Sequence, residues 1–241
     1  MDPWTLIEDG HYAEAVDAFT KRLRRDKCGP NYCNRAIAYL NLREFDKALA
    51  DFQAANDCFE YTSDGYLQSV GVAHWLAGRE SEAVAAWQDL VLAIERGKIQ
   101  YTDGAGGVES ACLLWFAAVC LGQATLLKLA RRVLKAKVKT KLGRNWSIDN
   151  WPGPIAMFLL GELDEKELRD RIIAVPIARA RELCQAEFYI GVRALQLGDT
   201  LAARRAFRRA AKLDAAKIEN ELYLAKRESN RRGPRLTSRS T

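Results

Sequence analysis

The chain is predicted to be all-α, a solenoid of helix–turn–helix pairs. Three segments share one pattern: Gly10-x-Tyr12-x-x-Ala15-x-x-x-Phe19, Arg43-x-Phe45-x-x-Ala48-x-x-x-Phe52 and Gly78-x-Glu80-x-x-Ala83-x-x-x-Trp87. Their alanines stand 33 and 35 residues apart, which is the period of a stacked helix pair. No long window alternates with the period of a strand. With 49% apolar residues in 241, the chain has enough material for a substantial core.

Each element follows from the same reasoning. An Ala and an aromatic four positions later share one helix face, so the small residue admits a neighbouring helix and the ring fills the space beside it. Residues 10–27 supply the second helix of a first unit, whose first helix has only residues 1–9 to draw on. Residues 30–57 form a complete pair: Tyr32, Ala36 and Tyr39 make the matching face of the first helix, and Asn41 to Glu44 the turn. A third unit spans 64–97. Asp103-Gly104-Ala105-Gly106-Gly107-Val108-Glu109 reads as a flexible linker or hinge, because no strand precedes it and no Gly-Lys-Ser/Thr follows to make a phosphate cradle. Residues 109–174 are degenerate pairs with turns at Gly122 and Gly161. A last unit occupies 184–214, a capping helix about 216–228, and 231–241 form a disordered basic tail. All of residues 1–230 are expected to be one repeat domain.

Residues 30–57 resemble the tetratricopeptide repeat family. Tyr32, Ala36, Tyr39, Phe45, Ala48, Phe52 and Ala55 fill all but one of the usual consensus positions; Arg35 departs, and Arg43 stands where a turn Gly is usual. Leu67, Gly71, His74, Gly78, Ala83 and Trp87 repeat the arrangement, as do Ile190, Gly191, Ala194, Gly198, Ala203, Phe207 and Ala210. The stretches Asn150–Gly161, Cys184–Gly191 and Leu197-Gly198-Asp199 are similar to a bacterial subgroup that includes the lipoprotein adaptor called new lipoprotein I. The resemblance implies a right-handed α–α superhelix that works as a protein–protein interaction scaffold or adaptor. It also implies that first helices line a concave groove. There the partner-facing candidates are Cys33, Asn34, Ile37, Leu40 and Asn41, then Gln68, Val72 and Trp75, then Phe188, Val192 and Gln196. They are largely apolar or neutral. Trp75 is the first candidate anchor for a bound helix or extended peptide, with Asn34 and Arg35 the nearest approach to a carboxylate clamp.

Catalysis finds little support, since a nucleophile, base or metal cluster must converge and only His11 and His74 are present. His11 reads as a solvated turn residue and His74 as a packed one. Six cysteines, Cys28, Cys33, Cys58, Cys112, Cys120 and Cys184, suit free thiols in a reducing compartment. The Cys28/Cys33 spacing lacks the second pair a metal site needs. No cofactor and no metal is expected. Neither a secretory leader nor a run of about 18 apolar residues is visible, so a cytoplasmic chain with no membrane partner is expected.

Charge is unevenly placed. From Ser110 to Ile148 there is no acidic residue, while Lys128, Arg131, Arg132, Lys135, Lys137, Lys139, Lys141 and Arg144 are basic. On a helix, Lys128, Arg131, Arg132, Lys135 and Lys139 form one stripe and Leu127, Ala130, Leu134 and Val138 another. A solvated face accounts for this simply; an acidic protein partner, or less readily nucleic acid, is the sharper reading. Aromatic residues are not interleaved with the charges, which disfavours single-strand stacking. Arg204, Arg205, Arg208, Arg209 and Lys212 make a second outward stripe. The expected activity is thus non-catalytic binding of a protein or peptide, with a cytoplasmic inhibitor capping a toxin or enzyme as the alternative. Trp4, Leu6 and Ile7 leave an apolar N-terminal edge through which a homodimer could form.

Overall fold

The computed structural model describes residues 2–58, 64–139 and 147–231; the tail from 232 onward, Lys141 and Arg144 lie outside them. Among the described residues every long element is helical, with no β-strand. The expected single domain 1–230 is divided into two compact units, Met1–Gln100 and Tyr101–Thr241, close to where the repeat register breaks.

The first unit contains α1 (Pro3–Glu8), α2 (Tyr12–Leu23), α3 (Gly29–Asn41), α4 (Phe45–Asp57), α5 (Asp64–Leu76) and α6 (Glu80–Glu95). Consecutive helices pack on one another: α1 on α2, α2 on α3, α3 on α4, α4 on α5 and α5 on α6. The Ala/aromatic pattern lies at these contacts, with Ala15, Phe19, Ala48, Phe52, Ala83 and Trp87 all at most 1% exposed. Trp87 shows why the facing position must be small. A Cβ placed on Gly71 of α5 would lie 2.3 Å from the Trp87 Nε1, inside any tolerable contact.

Turns are closed by residues with left-handed backbone, a conformation that costs an L residue roughly 1–2 kcal/mol and glycine almost nothing. Gly10 and Gly78 hold φ of 83° and 81°, whereas Arg43 adopts φ of 62° at the equivalent place between α3 and α4. The consensus departure at Arg43 therefore costs backbone strain without changing the turn. At the N-terminus, Ile7 is fully buried and Trp4 donates to Glu8 at 2.9 Å, so part of the expected open apolar edge is already covered within the unit.

The second unit contains α7 (Glu109–Leu121), α8 (Ala124–Lys139), α9 (Gly153–Leu160), α10 (Glu165–Asp170), α11 (Pro176–Gln196), α12 (Thr200–Ala210), a 3₁₀ turn (Asp214–Ala216) and α13 (Asn220–Asn230). α7 pairs with α8 and α11 with α12; the short α9 and α10 stand between these pairs, and α13 packs on α12 and α11. α7 has almost no polar face, since every residue from Ser110 to Ala118 is buried. Gly122 and Gly161 end α7 and α9 in left-handed conformation, as C-cap glycines do. Gly191 of α11 repeats the Gly71 device, because its Cβ would come within 2.7 Å of the Phe207 ring on α12.

The interlock yields a direct expectation. Gly71→Ala overpacks the α5/α6 contact and should destabilise the protein by about 1–3 kcal/mol. Urea unfolding followed by tryptophan fluorescence measures this, and an unchanged midpoint would mean that Trp87 is free to move aside.

Candidate functional site

The first helices do not present most of the expected groove residues to solvent. Ile37 and Leu40 are 5% exposed, Gln68 2%, and Val72, Trp75, Phe188 and Val192 not at all. Trp75 packs on Trp87 with ring centroids 5.9 Å apart, and the Trp87 indole N–H donates to the Gln68 carbonyl at 3.0 Å. Phe188 stands among Phe116, Tyr189 and Phe207 at 5.0, 5.1 and 5.5 Å. Trp75 is therefore corrected from anchor to core residue. The physical reason is periodicity: positions three, four and seven apart on a first helix meet the neighbouring pair as well as their own partner.

Cys33, Asn34, Asn41 and Gln196 remain half-buried. The Asn41 amide donates to the Ile37 carbonyl at 2.8 Å, and Gln196 Oε1 accepts from Trp115 and from Arg193, each at 3.2 Å. Burial, with Asp51 nearby, pushes the Cys33 thiol up to about 12, so it is neither a thiolate nor a nucleophile at neutral pH.

Arg35 is likewise taken up inside the fold. Its guanidinium donates in a fork to Asp51 at 2.7 and 2.6 Å and to the Thr20 hydroxyl at 3.0 Å. It also lies 5.8 and 5.9 Å from the ring centroids of Tyr32 and Tyr39. A cation is accommodated at this departure from the consensus because Asp51 on α4 pairs with it. The carboxylate-clamp expectation thus loses its only cation. Asp51→Ala would leave that guanidinium largely buried and unpaired, so a loss of about 3–5 kcal/mol is expected in chemical denaturation. A loss below 1 kcal/mol would show that the pair is solvated.

The basic stripe on α8 behaves differently. Lys128, Arg131, Arg132, Lys135 and Lys139 are all exposed, while Leu126, Ala130, Val133 and Leu134 are buried. The buried stripe is shifted from the expected one, with Leu127 and Val138 only half-buried, because α8 packs on both α7 and α9. Lys128, Arg131, Lys135 and Lys139 form no ion pair among the described residues. Lys137 sits 5.0 Å from the Tyr101 ring centroid. On α12, Arg209 is engaged instead, pairing at 2.7 Å with a Glu187 that also takes Arg169 at 2.9 Å.

Chemistry at the remaining candidates is limited. The Asp103 carboxylate, 8% exposed, accepts from the backbone N–H groups of Ala105, Gly107 and Glu109 at 3.0, 2.8 and 3.1 Å. The glycine segment is therefore an ordered loop folded on an internal anion, which corrects the flexible-linker expectation and occupies the amides a phosphate would need. His11 lies 3.4 Å from Glu14 at the surface. His74 is half-buried, with its imidazole pushed below the usual range by burial and then by Arg79. Neither histidine bonds a hydroxyl or thiol among the described residues. Sequence reasoning missed one cluster: Glu109, Glu219 and Glu221 approach within 4.8 Å of one another in the second unit. They come from distant parts of the chain and follow no spacing rule.

A family model for the tetratricopeptide repeat matches residues 30–57, the α3/α4 pair. The α3/α4 pair thus matches a tetratricopeptide repeat, and among the described residues the chain is all-α, with helices packed in consecutive pairs. Repeats of this family generally mediate protein–protein interaction. Among solved structures, it is similar to the C-terminal part of a TPR repeat-containing protein from Cytophaga hutchinsonii, at 15% identity and a TM-score of 0.41, over 88% of this chain and 94% of that one. No curated protein shows significant similarity. Among the described residues no helix is long and apolar enough to cross a membrane.

Proposed function

We propose that the chain is a non-catalytic docking module whose α8 face receives an acidic protein segment. The observation that carries this reading is that the exposed Lys128, Arg131, Lys135 and Lys139 of α8 form no ion pair among the described residues, in a stretch from Ser110 to Ile148 without a single acid. Cations on a helix raise the local potential and attract carboxylates at long range, and each exposed pair formed contributes roughly 0.2–1 kcal/mol. The family's habit of binding proteins supports a protein partner over nucleic acid, as does the lack of aromatic residues among these charges. Half-buried Cys33, Asn34 and Asn41 offer a small polar edge on α3 for secondary contact. The role is that of an adaptor, holding a partner without altering it. The six free thiols suit a reducing compartment such as the cytoplasm.

A fluorescent Glu-rich helical peptide provides the probe. Its affinity should fall about tenfold or more in Lys128→Glu/Arg131→Glu/Lys135→Glu, with helicity and melting unchanged, and should weaken as salt is raised through the range where the Debye length drops below ~10 Å. Equal affinity in the charge-reversed protein would refute the α8 assignment. Tighter binding of a single-stranded oligonucleotide than of the peptide would refute a protein partner.

A further inference from the structure

The carboxylate cluster of the second unit fastens its last helix. Glu219 stands just before α13 and Glu221 in its first turn, 6% and 0% exposed, and Glu109 at the start of α7 meets both. α11 supplies what faces them. Gln185 Nε2 donates to Glu109 at 3.1 Å and to Glu221 at 3.3 Å, and the Tyr189 hydroxyl donates to Glu221 at 3.1 Å. Gln185 is oriented by the Trp151 indole N–H, which donates to its Oε1 at 2.5 Å. Arg181 pairs with Glu219 and is itself 44% exposed.

Charge balance decides how this arrangement exists. Glu221 is fully buried and accepts from the uncharged Gln185 and Tyr189, while the Arg181 guanidinium pairs with Glu219. The Asp103 carboxyl accepts from backbone amides; the Cys112 and Cys184 thiols and the Tyr189 phenol are neutral, all pushed well up, first by burial and then by Glu221 or Asp103. Glu182 is raised by burial as well, and Lys226 of α13 is paired with Asp214 at 3.2 Å. An ionised Glu221 would place a fully buried charge beside Glu219, a cost that the hydrogen bonds from Gln185 and Tyr189 offset only in part. The docked helix therefore favours a proton on the cluster.

We propose that Glu221, with Glu219 beside it and Gln185 and Tyr189 of α11 facing it, forms a proton-dependent latch that holds α13 on α11 at mildly acidic pH and loosens it as the pH rises. Burial, reinforced by Glu219, lifts Glu221 from 4.5 to about 7. For an acid whose value is higher in the docked state, the docked state binds more protons than the open one. Docking is thus fully favoured below the free value and weakens as pH climbs from 4.5 to about 7, beyond which the loss is complete. Release uncovers Gln185 and Tyr189 of α11, otherwise 4% and 1% exposed, at the end of the helix stack.

Amide hydrogen exchange on the full chain, with a chelator present so that no cation replaces the proton, reads the latch at Leu222–Ala225. After correction for intrinsic rates, protection of these amides should fall about tenfold between pH 6 and pH 8. In Glu221→Gln, which mimics the protonated acid, protection should be flat with pH. In Glu219→Gln the fall should move to lower pH, since a neighbouring negative charge is gone. Protection in the wild type that does not change with pH, an undiminished pH dependence in Glu221→Gln, or a parallel loss of protection throughout α7 would each overturn the proposal.

Discussion

Close approach between a first helix and its partner is the constraint on which everything else rests. At Gly71 against Trp87, and again at Gly191 against Phe207, the absence of a side chain lets a large ring lie on the opposing backbone. Each ring then fills the space between the two helices of its pair, Trp87 against Trp75 and Phe207 against Phe188. The interior this produces is dense enough to absorb Trp75, Val72, Phe188 and Val192 entirely. On the reading proposed above, recognition therefore falls on the charged face of α8 and not on these apolar side chains.

Helix pairing was legible because it depends on local spacing. Ala48 and Phe52 lie one turn apart, and Gly10, Gly78, Gly122, Gly161 and Gly198 mark turns through a backbone conformation that few other residues accept. Even Arg43, an exception by residue type, keeps the left-handed turn its position demands. The α11 boundary was less visible. That helix starts at Pro176, well before the Ala/aromatic signature, because its first two turns are stabilised by contacts from elsewhere in the chain and not by repeat chemistry.

The candidate site was only partly legible, for a related reason. A helical wheel tells which residues share a face but not how many neighbours that face meets. Exposure of Lys128, Arg131 and Lys135 follows from the cost of burying cations and needs no tertiary knowledge. The burial of Trp75 and the capture of Arg35 by Asp51 both require knowing which helix lies opposite. Glu109 and Glu221 are more than a hundred positions apart, so no periodicity could have joined them.

Recognition is proposed to fall on the cationic face of α8, while the inner aromatic residues serve as core. Nuclear magnetic resonance of the labelled protein, titrated with a Glu-rich helical peptide, tests it most directly. The backbone amides between Lys128 and Lys139 should shift and the indole N–H signals of Trp75 and Trp87 should stay in place. Movement of those two indoles with α8 unperturbed would contradict the account and return the binding surface to the first helices.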